Sequence, residues 1–269
     1  MEITKKYVMD LRVAEAVRVH ERYVLLKLTC DEPLPAMLPG QFVEVRVDSV
    51  PDVFLRRPIS INYVDRERNE LWLLVAAVGE GTRWMAGLPA GGAVNVVGPL
   101  GRGFSLSAAE AAGPGASATG VRLLVGGGVG VAPLLYLGAT LKESGAEPVF
   151  LLGARTAHDL LMVDEFRRYG EVLVTTEDGS AGECGFVTQH TVLQTRTFGL
   201  IQTCGPTPMM KAVARFAWQQ GIECEVSLEN MMACGLGACL CCVEKTTEGN
   251  LCVCKDGPVF NIKQLLWQI

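Results

Sequence analysis

A group of cysteines near the C-terminus most constrains what this chain can fold into. Six of the ten cysteines fall between residues 234 and 254 of the 269-residue sequence. Four of them have the spacing C-x4-C-x2-C-x11-C: Cys234, Cys239, Cys242 and Cys254. This is the plant-type spacing with which four thiolates hold a [2Fe–2S] cluster. One loop can wrap a compact two-iron centre with the first three ligands, and the fourth comes from a later strand. The pattern predicts a protein that moves electrons one at a time.

Two other interpretations of the cysteines stay open. Structural zinc also takes four cysteines, usually as two pairs with two to four residues between partners, and only the C-x2-C half fits that habit. A disulfide framework would need an oxidising compartment. Cys241 and Cys252 lie among the predicted ligands but are left out, because using either one breaks the spacing. The scattered cysteines are interpreted as small buried hydrophobes, with the exception of Cys204.

Composition excludes several classes of protein. The chain is 49% hydrophobic and 20% charged, which suits a well-packed globular protein of two or three domains. Its net charge of −5, with no basic run, argues against nucleic-acid binding. No apolar stretch approaches the roughly 18 residues that a membrane span needs. The N-terminus has no apolar segment of a secretory signal. Ten cysteines without such a signal indicate the reducing cytoplasm.

The N-terminal part, residues 1–106, has the pattern of an antiparallel β-barrel. Val43, Val45 and Val47 alternate with Glu44 and Arg46, which is typical of a half-buried strand. Short apolar runs bounded by Gly, Pro or charged residues predict further strands at 23–28, 71–78 and 93–97.

The central part, residues 107–226, alternates strand and helix, which predicts an α/β domain with a parallel sheet. Predicted strands cover 121–125, 148–152, 172–176, 200–203 and 222–226, and predicted helices cover 132–144, 163–168 and 208–219. Small, turn-forming residues at 107–120 indicate a linker or loop. The last part, 227–269, is too small to fold alone, so we expect the bound cluster to stabilise its fold.

A glycine-rich run follows the first predicted strand of the α/β domain and opens a helix. Its glycines are Gly126, Gly127, Gly128 and Gly130, and Pro133 stands where the G-x-G-x-x-G motif has its last glycine. Backbone N–H groups at such a helix start can bind the phosphates of a dinucleotide. The alternative is a turn that needs glycine only for tight packing between strand and helix.

A second motif of the α/β domain is Cys204-Gly205-Pro206, which lies between a strand and a helix. We expect it at the same sheet edge as the glycine-rich run, where open α/β folds bind ligands. The Cys204 thiol could contact a nicotinamide ring, which makes Cys204 the candidate catalytic residue. The alternative is a buried cysteine before a turn.

The barrel carries a possible phosphate site. Arg57 could clamp a phosphate or pyrophosphate with two hydrogen bonds, and Ser60 could donate another. Gly81 and Thr82 follow another strand and could add backbone N–H groups and a hydroxyl. The alternatives are a solvated strand edge for the arginine and a hairpin turn for the glycine-containing segment.

Taken in order, these motifs resemble the ferredoxin–NADP reductase superfamily. There an Arg-x-(Tyr/Ile)-Ser element and a later Gly-Thr bind flavin, a Gly-rich loop binds the pyridine nucleotide, and Cys-Gly-Pro lies near the nicotinamide. The C-terminal segment, including Cys254-Lys-Asp-Gly-Pro-Val-Phe260, narrows the resemblance to the electron-transfer subunits of dihydroorotate dehydrogenase B. That resemblance covers essentially the whole chain.

The resemblance implies the cofactors and their contacts. The implied FAD contacts are Arg57, Pro58, Ile59, Ser60, Leu74, Val75, Ala76, Gly81 and Thr82. The four spaced cysteines would hold the [2Fe–2S] cluster, and NAD would be the substrate of the α/β domain. FAD can exchange electron pairs with NAD and single electrons with the cluster.

The resemblance also implies a partner. A (β/α)8 barrel takes about 250 residues, and the chain has no segment left for one. An FMN-containing dihydroorotate dehydrogenase catalytic subunit is therefore implied, in a heterotetramer that oxidises dihydroorotate to orotate in pyrimidine biosynthesis. The alternatives are a flavin and iron–sulfur subunit of another complex, such as a sulfhydrogenase or an NADH-dependent ferredoxin–NADP reductase, and a non-redox zinc module.

Overall fold

The computed structural model describes residues 5–107, 110–111 and 121–268, which form two compact units. Of the described residues, the first unit comprises 5–103, 229–244 and 250–258, and the second comprises 104–107, 110–111, 121–228, 245–249 and 259–268. Most of the predicted linker, at 108–109 and 112–120, lies outside the described residues. The three-domain division with boundaries after 106 and 226 stays a prediction.

The first unit contains a closed antiparallel barrel with the strand order β1-β2-β5-β4-β3-β6. Its strands are β1 (Tyr7–His20), β2 (Tyr23–Thr29), β3 (Phe42–Val45), β4 (Arg57–Asp65), β5 (Glu70–Ala76) and β6 (Ala93–Leu100). Pairing of β1 with β6 closes the barrel, so no strand edge is left open. The predicted barrel is confirmed.

One detail of the strand pattern was wrong. The alternation around Val43 predicts that Glu44 lies on the solvent side, yet all four residues of β3 are buried and Glu44 is only 1% exposed. The reason is that the cysteine-bearing loop covers this side of the strand: a Cβ added to Gly235 would lie 2.7 Å from Glu44 Cγ. Val47 lies beyond the end of β3.

The second unit is built on a seven-stranded sheet with the order β10-β9-β8-β7-β11-β12-β15. The strands are β7 (Val121–Gly127), β8 (Val149–Ala154), β9 (Glu171–Thr176), β10 (Glu183–Cys184), β11 (Phe198–Cys204), β12 (Glu223–Ser227) and β15 (Val259–Asn261). All neighbouring strands run parallel, except that β15 is antiparallel to β12. The predicted parallel α/β sheet is confirmed.

Residue type accounts for both ends of the longest α-helix that the structure describes. The α-helices are α1 (Glu80–Ala86), α2 (Ala132–Glu143), α3 (Val163–Arg167), α4 (Val192–Thr195), α5 (Thr207–Gln220) and α6 (Val253–Asp256). In α5, Pro208 occupies the first turn, where a missing N–H does no harm. The same helix is capped by Gly221, which follows its last residue and whose φ of 65° is the left-handed conformation that glycine tolerates best.

The C-terminal part adds a two-stranded sheet, β13 (Val243–Thr246) with β14 (Gly249–Cys252), which is followed by α6. Within the described ranges, no helix combines the length and the apolar character needed to cross a bilayer.

Candidate functional site

The cysteine loop of the first unit turns its backbone N–H groups toward sulfur. Cys234 Sγ accepts hydrogen bonds from the N–H groups of Leu236 at 3.3 Å, Ala238 at 3.4 Å and Cys239 at 3.4 Å. Gly235 and Gly237 have φ angles of 64° and 79°, in the left-handed region that permits this tight winding. A thiolate held by several N–H donors is suited to binding iron.

The later cysteine completes the loop. Cys254 Sγ accepts the N–H of Gly237 at 3.1 Å, and the N–H of Cys254 donates to Cys242 Sγ at 3.4 Å. Cys242 and Cys254 are buried, whereas Cys239 is exposed. The three-dimensional fold thus brings together all four cysteines that the spacing selects, with a residue of α6 supplying the fourth.

The thiols differ in acidity. Burial acts to raise the pKa of Cys234, but the N–H donors of Leu236 and Cys239 help to lower it to about 6. Burial, reinforced by the hydrogen bond to Cys242, raises the pKa of Cys254 to about 12. Cys234 therefore favours the thiolate form, while a bound metal would have to displace the proton of Cys254.

The thiols are arranged in two pairs. In the described part of the chain, no three His, Cys, Asp or Glu side chains are grouped so as to hold one metal ion. Instead, Cys239 forms a side-chain hydrogen bond with Cys234, and Cys254 forms one with Cys242. In a [2Fe–2S] cluster each of the two irons binds two of the four cysteine ligands. The pairing fits such a cluster, with one pair for each iron.

The two neighbouring cysteines lie in different surroundings. Cys241 is exposed. Cys252 is buried, and its N–H donates to Asp256 Oδ2 at 2.8 Å. Their exclusion from the ligand set stays a prediction.

Two of the segments that carry predicted flavin residues are neighbours in the first unit. A Cβ added to Gly81 would lie 3.1 Å from Arg57 Nε, so the Arg57 element and the Gly81-Thr82 element are neighbours. The latter forms the first turn of α1 rather than a hairpin turn. The Thr82 hydroxyl accepts the N–H of Gly79 at 3.0 Å and so caps this turn. Ser60 lies opposite Phe42 in the pairing of β3 with β4.

The two adjacent arginines differ in their partners. Arg56 donates to the carbonyl oxygens of Glu44 and Asn95, each at 3.2 Å, and to Asn95 Oδ1 at 2.5 Å. Arg57 donates to the carbonyl oxygens of Leu55 at 2.9 Å and Arg56 at 3.2 Å. Arg56 thus connects β3 and β6 through its hydrogen bonds. The guanidinium of Arg57 donates to nearby backbone carbonyls, and a bound anion could take the place of these acceptors.

The other implied flavin contacts lie on two strands. Pro58 and Ile59 are half-buried on β4, opposite Glu44 and Val43. The remaining three lie on β5, where the first two are buried and the third is half-buried: Leu74, Val75 and Ala76. Contacts from these buried β5 residues to a ligand would come through the backbone.

The two nucleotide motifs of the second unit are in contact. The glycine-rich run covers the end of β7 and a 3-10 turn at Gly128–Val131 before α2 begins. A Cβ added to Gly130 would lie 2.4 Å from Gly205 Cα and 2.5 Å from the Cys204 carbonyl oxygen. A Cβ added to Gly127 would likewise lie 3.3 Å from Pro206 Cδ.

This contact lies at the point where the strand order of the sheet reverses. Strand β7 lies between β8 and β11, so the chain order of the sheet reverses there. Ligands of open α/β sheets bind outside the carboxyl ends of the strands at such a switch point. Cys204 is the last residue of β11 and is 1% exposed, so its contact with a nicotinamide stays a prediction.

Comparison with known proteins identifies two matching domain families. The iron–sulfur cluster binding domain of dihydroorotate dehydrogenase B matches residues 229–266, and the oxidoreductase NAD-binding domain matches residues 124–215. These ranges contain the four spaced cysteines and both nucleotide motifs, respectively.

Whole-chain relatives agree with the domain matches. The NAD(+) dihydroorotate dehydrogenase B electron transfer subunit of Shouchella clausii is 42% identical over 85% of this chain and 86% of that protein. The corresponding subunit of Fusobacterium nucleatum is 38% identical over 93% of this chain and 95% of that protein.

A solved structure of an NADH-dependent reduced ferredoxin-NADP oxidoreductase, described for flavin-based electron bifurcation, has a TM-score of 0.84 at 31% identity. It covers 96% of this chain and 90% of that one. The chain belongs to the family of dihydroorotate dehydrogenase B electron-transfer subunits.

Proposed function

We propose that this chain carries electrons between the FMN of a dihydroorotate dehydrogenase catalytic subunit and NAD, by way of a [2Fe–2S] cluster and FAD. As a member of its family it is an NAD-linked flavin and iron–sulfur oxidoreductase subunit. The observation that carries the proposal is the pairing of four thiols in a loop that turns its N–H groups toward sulfur.

Different residues of the chain would bind the cluster, FAD and NAD. We assign the cluster to the four thiols: Cys234, Cys239, Cys242 and Cys254. We assign FAD to the nine barrel residues that the family resemblance implies, with Arg57 as the phosphate clamp. We assign the NAD pyrophosphate to the backbone of Gly126–Gly130, and the nicotinamide to the neighbourhood of Cys204, Gly205 and Pro206. Bound FAD would supply the exchange between paired electrons and single electrons.

An electron-transfer subunit works with a catalytic subunit, and we propose that the catalytic subunit holds FMN and the dihydroorotate site. The described residues are used for a β-barrel, an α/β sheet and a cysteine loop, whereas a (β/α)8 substrate domain takes about 250 residues. Leu236 and Leu240 are 46% and 63% exposed on the cysteine loop, an apolar surface suited to a partner. A heterotetramer remains the expected assembly.

We also propose a cytoplasmic location and a role in pyrimidine biosynthesis. All ten cysteines lie in the described ranges, and none of them forms a disulfide. That agrees with a reducing compartment. The alternative assignment to a ferredoxin–NADP oxidoreductase complex has less support, because that solved relative is 31% identical whereas the dihydroorotate dehydrogenase subunits reach 42%.

The composition of the purified protein tests this function. Protein purified without air should contain one FAD, two irons and two acid-labile sulfides per chain, and its visible spectrum should contain both flavin and iron–sulfur absorption. A colourless protein that contains zinc would contradict the proposal and support a non-redox module.

The Arg57→Ala variant is expected to bind FAD more weakly. Losing a charge-assisted hydrogen bond to phosphate should cost about 1.5–3 kcal/mol, which is about 10- to 150-fold in affinity. FAD titration of the apoprotein measures this change. Arg68→Ala is the matched control, since Arg68 is an exposed arginine whose nearest carboxylate oxygen is 4.0 Å away. Equal FAD affinity in the two variants would remove Arg57 from the site.

A further inference from the structure

Glu44 lies on a face of the barrel that also carries two of the proposed flavin contacts. In the pairing of β3 with β4, Glu44 is directly opposite Pro58, and Phe42 is opposite Ser60. Directly opposed residues of an antiparallel pair project to the same face, and residues two apart on a strand share a face. Glu44 therefore shares its face with Pro58 and Ser60.

The same side chain lies against the cysteine loop. A Cβ added to Gly235 would lie 2.7 Å from Glu44 Cγ and 3.1 Å from Glu44 Oε1. Leu100 Cδ1 is 3.0 Å from that same position, so the surroundings are partly apolar. Gly235 is the residue after Cys234, and its missing side chain provides the space that the carboxyl group uses. Glu44 is thus in contact with the cluster loop and shares a barrel face with two proposed flavin contacts, Pro58 and Ser60.

The Glu44 carboxyl group makes no hydrogen bond that would explain its burial. Both carboxyl oxygens are buried and have no hydrogen-bond partner among the described residues. The adjacent Arg56 donates to the main-chain carbonyl of Glu44. A buried carboxyl group without a partner destabilises a fold. A purely structural role therefore gives no reason for an acid at this position.

The surroundings of Glu44 change the pKa of its carboxyl group. Burial raises the pKa of Glu44 to about 7, although the positive charges of Arg56 and Arg57 act in the opposite direction. The charge of Cys234 contributes to the increase. The two arginines thus favour the carboxylate form of Glu44.

We propose that Glu44 lowers the reduction potential of the cluster, as a charged residue that is not a ligand. The inference rests on the proposed assignment of the cluster to Cys234 and its three partners. An electron added to the cluster is repelled by a carboxylate beside the cluster loop, and the repulsion is weakly screened because the carboxyl group is buried. Replacing Glu44 by a neutral residue of similar shape should therefore make the cluster easier to reduce.

The test is an EPR-monitored redox titration of the complete chain at pH 8.5. Glu44→Gln should increase the equilibrium constant for cluster reduction about tenfold, which is about 59 mV for a one-electron couple. Glu44→Met, also neutral and of similar size, should raise the potential in the same direction, so the test survives if one variant fails to fold. Glu67→Gln is the control, because it removes the same charge from an exposed turn of the same unit.

The outcomes separate this inference from the proposed function. If wild-type protein gives the [2Fe–2S] signal and Glu44→Gln shifts the potential no more than Glu67→Gln does, the role of Glu44 is wrong while the proposed function stands. If the wild-type protein gives no [2Fe–2S] signal, both are wrong. A clear rise in Glu44→Gln alone supports both.

Discussion

Serine substitution of each predicted ligand, one residue at a time, is expected to remove most of the [2Fe–2S] cluster. The four variants are Cys234→Ser, Cys239→Ser, Cys242→Ser and Cys254→Ser. A serine hydroxyl is a far weaker ligand for iron than a thiolate, because the soft sulfur donor suits iron–sulfur chemistry. Iron content and the EPR signal of the reduced protein measure the loss, and FAD content should stay the same.

The chain supplies its own control for this series. Cys241→Ser and Cys252→Ser change a cysteine in the same segment but leave the predicted C-x4-C-x2-C-x11-C set intact. Both variants should keep their iron and their EPR signal. If Cys241→Ser loses the cluster while Cys242→Ser keeps it, the ligand assignment is wrong.

Gly130→Ala is expected to weaken NADH binding strongly. The new methyl group would lie 2.4 Å from Gly205 Cα and 2.5 Å from the Gly205 nitrogen, both of them backbone atoms. The two nucleotide loops would have to separate, and such overpacking typically costs about 1–3 kcal/mol. We expect the KM for NADH to rise by about 5- to 150-fold in an assay with an artificial electron acceptor.

Gly145→Ala serves as the matched control for general destabilisation. Gly145 follows α2 at the end remote from the glycine-rich run, and a Cβ there would meet no atom within 4 Å. Its φ of 85° gives the variant a backbone strain but no clash. The KM for NADH should stay near the wild-type value. A similar increase in both variants would mean that Gly130 has no specific role at the nucleotide site.

Local patterns were enough to predict the architecture of both units. Alternating and continuous apolar runs predict the barrel and the parallel sheet, because strand periodicity and the spacing of turns are local properties. The position of Gly130 and the Cys204-Gly205 segment at one sheet edge also follows from sequence, since both motifs come after parallel strands. How closely they approach depends on packing, which the sequence alone does not state: a Cβ added to Gly130 would lie 2.4 Å from Gly205 Cα.

The burial of Glu44 could not be predicted from local sequence patterns. Its alternation with Val43 and Val45 predicts an exposed acid, and that prediction was wrong because a segment about 190 residues later covers the strand. The α1 helix at Glu80–Ala86 was missed for a related reason: a glycine-containing stretch after a strand fits a turn equally well. Long-range burial and short helices in loops are not encoded in local periodicity.

The most direct test of the electron path is NADH formation from dihydroorotate with the chain alone, with an FMN-bearing dihydroorotate dehydrogenase subunit alone, and with both together. We expect the chain alone to oxidise NADH with an artificial acceptor but to form no NADH from dihydroorotate. Adding the FMN subunit should start NADH formation, and Cys239→Ser should abolish it while keeping much of the activity with the artificial acceptor. NADH formation from dihydroorotate by the isolated chain would contradict the account, as would failure of the two subunits to associate.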